Sequence, residues 1–321
     1  MPFRQTPSLA ELPPPPRPLQ GWPWTSETPA ARLPAAAAPG VTLVTPSFNQ
    51  AVFLEATIRS VLLQGYPRLE YFVIDGGSTD GSVDVIRKYA PWLSGWVSEA
   101  DRGQSHAINK GLARSEGSLL GWLNSDDRLL PGALQGLARA ATEQPEAVAW
   151  VASARTVEPD GTVVHPRVPP RGLDRDSIAD WNHVGHVPQP SCFFSRVAID
   201  RVGPLDERYH FVMDVDLWLR LAAVGRIVEV EEMWAEETRH DAAKTMAQRG
   251  SFLAELHLLQ IRSGYEALAL QRLGSELQEL ELHRRGSAAA RVKHELVLLL
   301  HPLLELLRRR RAARERGNSG P

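Results

Sequence analysis

The sequence predicts an α/β protein, with a parallel sheet covered by helices on both faces and a helical extension at the C-terminus. Short apolar, β-branched runs alternate with amphipathic stretches of helical spacing from residue 41 onward. The connections between them are short, and Leu-rich helical patterns continue from residue 250 almost to the end. Alternation of this kind is typical of parallel sheets, because the crossover between two parallel strands needs a helix.

Each element follows from a local pattern. Continuous apolar runs predict buried strands, and the first four are expected at residues 41–44, 71–74, 96–97 and 119–123. Helices are expected where apolar residues recur at helical spacing, as at Leu54, Ile58 and Val61. Further strands are expected at residues 148–152, 162–164 and 226–230, and a helix at 214–223. Residues 166–190 contain several prolines and no clear period, which predicts a long loop over a site.

Composition divides the chain into three parts. Residues 1–40 hold eleven of the 25 prolines, which favours extended polyproline structure and predicts a leader or linker, with docking back on the domain as the alternative. Residues 41–248 form the expected α/β domain, and residues 249–321 form the helical extension with its basic tail. From Arg284 onward ten Lys or Arg face three acids, so the tail carries +7 and the rest of the chain −9.

Charge and cysteine content exclude several classes of protein. A mildly acidic body with a basic tail does not fit a nucleic-acid-binding domain, whose folded surface would be basic. The single cysteine, Cys192, excludes an internal disulfide framework and a Cys-rich zinc site, and it favours a reducing, cytoplasmic compartment. No stretch approaches the length of about 20 apolar residues that a membrane span needs.

The basic tail has two interpretations. Residues 296–307 have an apolar helical face and are followed at once by four arginines. Such a helix can lie on an anionic surface, which predicts peripheral binding to the inner face of the cell membrane. The alternative is a helix that contacts the α/β domain or a partner protein, with the arginines in solvent.

Polar clusters follow three of the predicted strands, in stretches with turn chemistry. They are Thr45, Pro46 and Asn49 after the first strand, Asp75, Gly76 and Ser78 after the second, and Asp126 and Asp127 after the fourth. In an open α/β sheet, ligands bind beyond the carboxyl ends of the strands. Three clusters at one edge therefore predict a ligand pocket. The sequence has neither a P-loop nor a G-x-G-x-x-G fingerprint.

The acids in these clusters each have two interpretations. The glycines after Asp75 let a ligand approach the backbone, and the carboxylate can accept hydrogen bonds from a base or ribose. An ordinary Asx turn is the alternative. Asp126 and Asp127 suit a hard divalent cation, Mg²⁺ or Mn²⁺, which takes carboxylate and phosphate oxygens. Capping of the following helix is the alternative for one of them.

Four longer stretches carry the most specific pattern. They are TPSFNQAVFLEATIRSVLLQGYP, YFVIDGGSTDGSVDVIRKY, DRGQSHAINKGLARSEGSLLGWLNSDD and QPSCFFSRVAIDRVGPLDERYHFVMDVDLWLRL. Together they resemble the inverting family 2 glycosyltransferases of GT-A fold, a Rossmann-like, mixed and mostly parallel sheet. The resemblance spans about residues 40–245. It implies an enzyme that moves a sugar from a nucleotide-diphosphate sugar to a hydroxyl of a carbohydrate or lipid-linked acceptor, in polysaccharide or glycan assembly.

The resemblance also implies roles for particular residues. The expected contacts of the nucleotide and donor sugar are Thr45, Pro46, Asn49, Asp75, Gly76, Ser78, Asp101, Arg102, Gln104, Asn124, Ser125 and Lys244. The Asp-x-Asp metal motif of the family reads Asn124-Ser125-Asp126 here, so Asp126 is the expected ligand of Mn²⁺ or Mg²⁺ and Asp127 an additional one. His240 is expected to complete the metal shell or to meet the diphosphate.

The catalytic base implied by the resemblance is Asp214, because Met213-Asp214 stands where the family has a Glu-Asp pair opening a helix. An acceptor hydroxyl must lose its proton as it attacks, and a carboxylate can take it. An N-cap role is the alternative for Asp214, and Asp216 is expected to cap or pair. Two other function classes stay open, a nucleotidyltransferase and a non-catalytic protein that binds sugar nucleotides.

Overall fold

The computed structural model describes residues 3–16, 18–30, 37–240 and 248–284. These residues belong to two compact units. The first contains the chain up to Arg208 together with Met213–His240, and the second contains Tyr209–Val212 and the chain from Asp241 onward. Lys244 and the basic tail beyond residue 284 lie outside the described residues.

The described part of the first unit is built on a mixed sheet of nine strands. They are β1 (Val41–Ser47), β2 (Leu69–Asp75), β3 (Gly95–Ser98), β4 (Leu119–Trp122), β5 (Arg128–Leu129), β6 (Ala149–Val157), β7 (Val163–Arg167), β8 (Cys192–Ser195) and β9 (Ile227–Thr238). Their order is β3-β2-β1-β4-β8-β6-β9-β5, with β7 paired to β6. The first four strands are parallel, as are β6 and β9, whereas β5, β7 and β8 run antiparallel to their neighbours.

The helices between these strands are α1 (Ala51–Leu62), α2 (Ser82–Tyr89), α3 (Gln104–Leu112), α4 (Ala133–Glu143), α5 (Arg175–Ala179), α6 (Arg196–Val202) and α7 (Met213–Ala222). The predicted α/β class is confirmed, and the first four strands lie where the sequence placed them to within a few residues. The short strands β5 and β8 and the helices α5 and α6 were not predicted, and α5 lies inside residues 166–190, where a long loop was expected. In the described ranges, no helix has both the length and the hydropathy to cross a membrane.

Strand β1 is longer than its apolar run because Pro46 fits inside it. β1 pairs with β2 along its whole length, but with β4 only as far as Val44. Proline lacks the N–H that a ladder on both sides would use, so it is tolerated where one edge of a strand is open. Thr45 and Pro46 therefore belong to a buried strand and not to the turn that the sequence indicated.

The sheet is covered on both faces, because successive side chains of a strand point to opposite sides. Leu43 of β1 lies in an apolar cluster with Leu54 and Ile58 of α1. Its neighbour Val44 faces α3, where a Cβ on Gly111 would lie 2.6 Å from the Val44 side chain. Glycine at position 111 therefore allows α3 to approach the sheet closely.

The N-terminal segment, which the sequence interpreted as a leader or linker, lies against the first unit in its described parts. Arg4 forms a β-bridge with Leu69, and the backbone N–H of Thr28 donates to the carbonyl of Leu63. The indole of Trp22 donates to the carbonyl of Leu129 at 2.7 Å. The prolines leave this segment with few N–H donors, so its carbonyls are bound by donors from the domain.

Arg59 of α1 supplies several of those donors. Its guanidinium is 1% exposed and donates to the carbonyls of Pro13 at 2.8 Å and Pro23 at 3.0 Å. It also donates to the Tyr89 hydroxyl and lies 5.4 Å from the ring centre of Trp24. The buried charge is thus satisfied by the backbone of the N-terminal segment, which fixes that segment on α1.

We expect Arg59→Met to destabilise the protein by about 3 kcal/mol, since hydrogen bonds to a buried charged group are lost and the proline carbonyls stay buried. Urea unfolding measures the change, and limited proteolysis should cut the N-terminal segment sooner. Arg87→Met is the matched control, because Arg87 forms an exposed pair with Asp84. A loss of stability no larger for Arg59→Met than for the control would contradict the prediction.

The described part of the second unit contains a helical hairpin, α8 (Arg249–Arg262) and α9 (Glu266–Arg284). Gly264, with φ of +93°, makes the turn between them. Ile261, Ala269 and Leu273 form a small apolar cluster across the hairpin. His257 is 1% exposed and its Nε2 lies 3.0 Å from the Glu276 carboxylate. The predicted helical extension is confirmed for this part of the chain.

Candidate active site

The carboxyl ends of β1, β2 and β4 meet at one edge of the sheet. Ser47 pairs with Asp75 at the last position of β1 and β2. The backbone N–H of Gly76 donates to Ser47 at 2.8 Å, and the N–H of Leu123 donates to Val44 at 2.9 Å. The polar clusters that follow these strands are therefore neighbours, as the sequence predicts for a ligand pocket.

Asn49 joins the loop after β1 to the loop after β2. It is exposed and has a φ of +52°, a conformation that Asn adopts more readily than most residues. Its backbone N–H donates to the Ser78 hydroxyl at 2.8 Å, and its side-chain Oδ1 accepts from the N–H of Thr79 at 2.9 Å. Two predicted donor contacts, Asn49 and Ser78, thus lie side by side.

Asp75 is fully buried and organises the loop that follows it. Its Oδ2 accepts from the N–H groups of Gly77 and Ser78 and from the Ser98 hydroxyl, and its Oδ1 accepts from the Ser78 hydroxyl. These contacts are those of the Asx turn that was the alternative interpretation. A nucleoside contact of Asp75 stays a prediction, and it would share an oxygen that already has a protein donor.

Gly76 is the point where three loops come close. A Cβ at this position would lie 2.9 Å from the Asp101 carboxylate and 3.3 Å from the Phe48 ring. Asp101, after β3, also accepts from the N–H of Gly103 at 2.8 Å. Phe48 is 62% exposed. The glycine therefore keeps a gap between a carboxylate and an exposed aromatic ring.

Asp126 and His240 are in direct contact at the same edge. The Nε2 atom of His240 lies 3.0 Å from Oδ2 of Asp126, with side chains 10% and 20% exposed. Phe53 of α1 stacks on the imidazole at a centroid distance of 4.7 Å and so fixes the plane of the ring. The structure brings together a carboxylate from the loop after β4 and an imidazole that follows β9, two residues far apart in the sequence.

Asp127 is oriented inward. Its side chain accepts from the N–H of Thr238 at 3.2 Å and from the Asn124 amide at 3.3 Å, and the residue is 6% exposed. Burial raises the pKa of Asp127 well above its usual range, and the nearby charges of Asp126 and Glu237 add to the rise. Its part in a metal site stays a prediction, and the geometry favours Asp126.

Asp214 lies in the first turn of α7, as predicted. It is partly buried, and its Oδ1 accepts from the N–H of Val215 at 2.8 Å. Burial, with an added effect of the Asp214 charge, raises the pKa of the Cys192 thiol to about 12. The Ser105 hydroxyl of α3 donates to the Met213 sulfur at 2.9 Å. The start of α7 is therefore beside the start of α3 and close to β8.

Asp216, two residues further on, is a structural residue. It is 9% exposed and accepts from Nε of Arg220 at 2.9 Å. Arg220 in turn donates to the carbonyls of Val202 and Gly203. This pair fixes α7 to the end of α6, so Asp216 pairs as the sequence predicted.

Other predicted site residues have protein partners elsewhere. The Thr45 hydroxyl lies 2.9 Å from the Tyr71 hydroxyl in the core. Arg102 donates from Nε and Nη2 to Oε2 of Glu207, at 3.0 and 2.6 Å. Ser125 is 5% exposed. The contacts of these three residues with a donor stay predictions.

Three further residues at the site were not predicted from the sequence: Phe53, Phe48 and Gln189. Phe53 lies next to Leu54 in α1 but outside the buried face of the helix. A large aromatic residue outside that face is the signal that could have marked it. Phe48 is apolar within turn chemistry, a comparable signal. Gln189 carried none, because its side chain meets Asn124, 65 residues away in the chain.

Comparison with known proteins decides the family. The sequence model described as Glycosyl transferase family 2 matches residues 42–203, which is half of the chain. The chain belongs to this family. The match runs from β1 to the residue after α6 and so includes the loops after β1, β2, β3 and β4.

Relatives within family 2 are similar over a part of their length. An uncharacterized glycosyltransferase of Mycobacterium tuberculosis is 44% identical over 92 residues, 28% of this chain and 35% of the relative. The teichuronic acid biosynthesis glycosyltransferase TuaG of Bacillus subtilis, itself named as putative in function, is 36% identical over 93 residues, 28% of this chain and 37% of TuaG. The chain thus matches about a third of the length of these curated relatives.

The fold agrees with the family. The mannosyltransferase PcManGT of Pyrobaculum calidifontis, solved with GDP-Man and Mn²⁺, superposes with a TM-score of 0.55 at 19% identity. The superposition covers 90% of this chain and 84% of PcManGT. The GT-A fold that the sequence resemblance implied is therefore confirmed.

The side chains at this edge fit, in part, the divalent cation that is expected in a family 2 protein. Among the described residues, no three His, Cys, Asp or Glu side chains are grouped as they would be around a metal ion. The Asp126–His240 pair offers one carboxylate oxygen and one imidazole nitrogen. A cation held by one or two side chains takes its remaining ligands from substrate phosphates, and a two-residue site fits that arrangement.

Proposed function

We propose that this chain transfers a sugar, with inversion, from a nucleotide-diphosphate sugar to an acceptor hydroxyl in polysaccharide or glycan assembly. Family membership supports the reaction class. The observation that carries it is the placement of Asp214 at the start of α7, joined to the start of α3 by the Ser105–Met213 contact. A carboxylate is thus held next to the loops that would bind the donor.

We assign the donor to the edge formed by the loops after β1, β2 and β3. Asn49 and Ser78 offer polar groups, and the exposed ring of Phe48 offers a face for a nucleobase. PcManGT was solved with GDP-Man, which supports a nucleotide sugar as the donor class. The name of TuaG, which refers to teichuronic acid, supports a polymer-forming pathway.

The acceptor side is assigned to the segment between β7 and β8. Trp181 of this segment stacks on Trp218 of α7 at 5.0 Å, four residues after Asp214. His186 lies against the same Trp181 ring, and burial, with the positive charge of Arg167, lowers its pKa to about 3. Both tryptophan rings are buried, so the Trp181–Trp218 contact packs this segment on α7, the helix that begins beside Asp214.

In the mechanism, Asp214 accepts the proton of the acceptor hydroxyl as its oxygen attacks the anomeric carbon of the donor. Asp126 and His240 would hold a divalent cation, which when bound offsets the charge on the leaving diphosphate. The stacked Phe53 ring keeps the His240 imidazole aligned for that role. The segment between β7 and β8 would exclude water, so that the sugar passes to the acceptor and the donor is not hydrolysed.

The test is a screen of UDP-, GDP- and dTDP-sugars with Mn²⁺ or Mg²⁺ and a panel of glycan and lipid-linked acceptors. Acceptor-dependent release of a nucleoside diphosphate supports the proposal, and the anomeric configuration of the product reports on inversion. A parallel incubation with nucleoside triphosphates and sugar phosphates tests the alternative, because release of pyrophosphate there would identify a nucleotidyltransferase. Binding of sugar nucleotides with no turnover on any acceptor would identify a non-catalytic binding protein.

A further inference from the structure

Asn124 stands at the first position of the motif that reads Asp-x-Asp in the family, so it can be taken for a metal ligand that has been lost. Its amide, however, is occupied within the protein. The Gln104 side chain donates to its Oδ1 at 2.7 Å. Its Nδ2 donates to Oε1 of Gln189 at 3.1 Å and to Oδ2 of Asp127 at 3.3 Å. An amide nitrogen has two N–H groups, and both are used here.

We propose that Asn124 is a positioning residue for the reaction proposed above. Its amide joins three segments at the donor edge: the start of α3 through Gln104, the loop that carries Asp126, and the residues before β8 through Gln189. The expected effect on nucleotide binding and transfer rests on the proposed function, whereas the three hydrogen bonds do not depend on it.

An aspartate at this position cannot make the same contacts. Both partners of the amide nitrogen are oxygens, and a carboxylate has no N–H to offer them. Gln189 cannot adapt by turning its own amide over, because its Nε2 already donates to the carbonyl of Trp122 at 3.0 Å. A third carboxylate would also stand beside Asp126 and Asp127, where Asp127 is already buried. The amide is thus the group that this network requires.

The network connects the two sides of the site. Gln104 opens α3, whose next residue, Ser105, contacts Met213 beside Asp214. Gln189 ends the segment that carries Trp181, and Trp181 stacks on α7. Loss of the Asn124 amide therefore releases contacts on the donor side and on the acceptor side together, which loss of a single metal ligand would not do.

The first experiment measures binding of UDP and GDP to full-length wild type, Asn124→Asp and Asn124→Ala by calorimetry, in EDTA and in Mn²⁺. We expect both variants to bind the preferred nucleotide at least about tenfold more weakly under both conditions, as expected when an interaction of more than about 1.4 kcal/mol is lost. Gln135→Glu is the control, because it makes the same change of amide to carboxylate and Gln135 of α4 donates to the Pro29 carbonyl at 2.8 Å, away from the strand ends. It should lower stability and leave binding unchanged.

The opposite result would overturn the inference. If Asn124→Asp binds the nucleotide like wild type in EDTA and more tightly in Mn²⁺, residue 124 is a metal-ligand position and Asn124 is not a positioning residue. If wild type itself binds no nucleotide, the proposed function fails. Unfolding in urea then tests whether Asn124 and Gln104 are coupled. In that measurement the double variant Asn124→Ala/Gln104→Ala should lose less stability than the two single variants combined, and strict additivity would refute the coupling.

Discussion

Asp214→Asn should reduce sugar transfer by about 100- to 10,000-fold, the range that a general base contributes. An asparagine has nearly the same size and keeps an oxygen to accept from the N–H of Val215, so the start of α7 should stay in place. It cannot take a proton from the acceptor, so the chemical step is lost. Nucleoside diphosphate release under saturating donor and acceptor measures the rate, and calorimetry with the nucleotide should give the wild-type affinity.

Asp216→Asn is the matched control for this change. It makes the same substitution two residues later in the same helix, at a carboxylate that pairs with Arg220 and not with substrate. We expect it to lower the free energy of unfolding by about 1–3 kcal/mol, because Arg220 loses a charged partner, while transfer stays within a few-fold of wild type. Equal losses of transfer in the two variants would show that α7 was disturbed and that Asp214 is not the base.

The layout of the sheet could be predicted from the sequence because its signals are local. The apolar runs of β1, β2 and β4 are continuous, and turn residues follow each of them. A general rule then placed the polar clusters together, since parallel strands bring their carboxyl ends to one edge. The pairing of Ser47 with Asp75 is the result.

The contacts of the N-terminal segment could not be predicted in this way. The prolines correctly indicated extended structure, but the donor that binds their carbonyls is Arg59, 46 residues after Pro13. An arginine within an amphipathic helix ordinarily faces solvent, and at residue 59 no local pattern shows a buried one. The buried Arg59 guanidinium is therefore one of the contacts that hold this segment on the domain, beside those of Arg4, Trp22 and Thr28.

The candidate site, too, has parts that could be predicted from the sequence and parts that could not. The acids at the strand ends predicted a cation, but their residue type alone does not distinguish Asp126, which contacts His240, from Asp127, whose side chain accepts from Thr238. The family resemblance made Asp126 the expected ligand and Asp214 the expected base. Adjacent acids have the same sequence signal, and only the register of β9 decides which carboxylate meets the imidazole. The role of Asn124 depends on Gln189 and was equally invisible.

Asp126→Ala should raise the Mn²⁺ concentration needed for half-maximal transfer and lower the maximal rate by about 100- to 1,000-fold, the cost of removing an important electrostatic group from an active site. His240→Ala should have a smaller effect of about 10- to 100-fold, because the carboxylate would still hold the cation. The two residues are 3.0 Å apart, so their effects should be less than additive in the double variant. Transfer assayed across a Mn²⁺ titration after treatment with EDTA measures both quantities.

Asp127→Asn separates the contribution of the partly exposed Asp126 to cation binding from that of the buried Asp127. The Asp127 oxygens already accept from Thr238 and Asn124, so the change should cost about 1–2 kcal/mol of stability through one lost hydrogen bond. The Mn²⁺ requirement should remain close to that of wild type. If Asp127→Asn instead shifts the Mn²⁺ titration as far as Asp126→Ala does, the inward-facing carboxylate turns toward the cation when donor binds, and the two acids act as a pair.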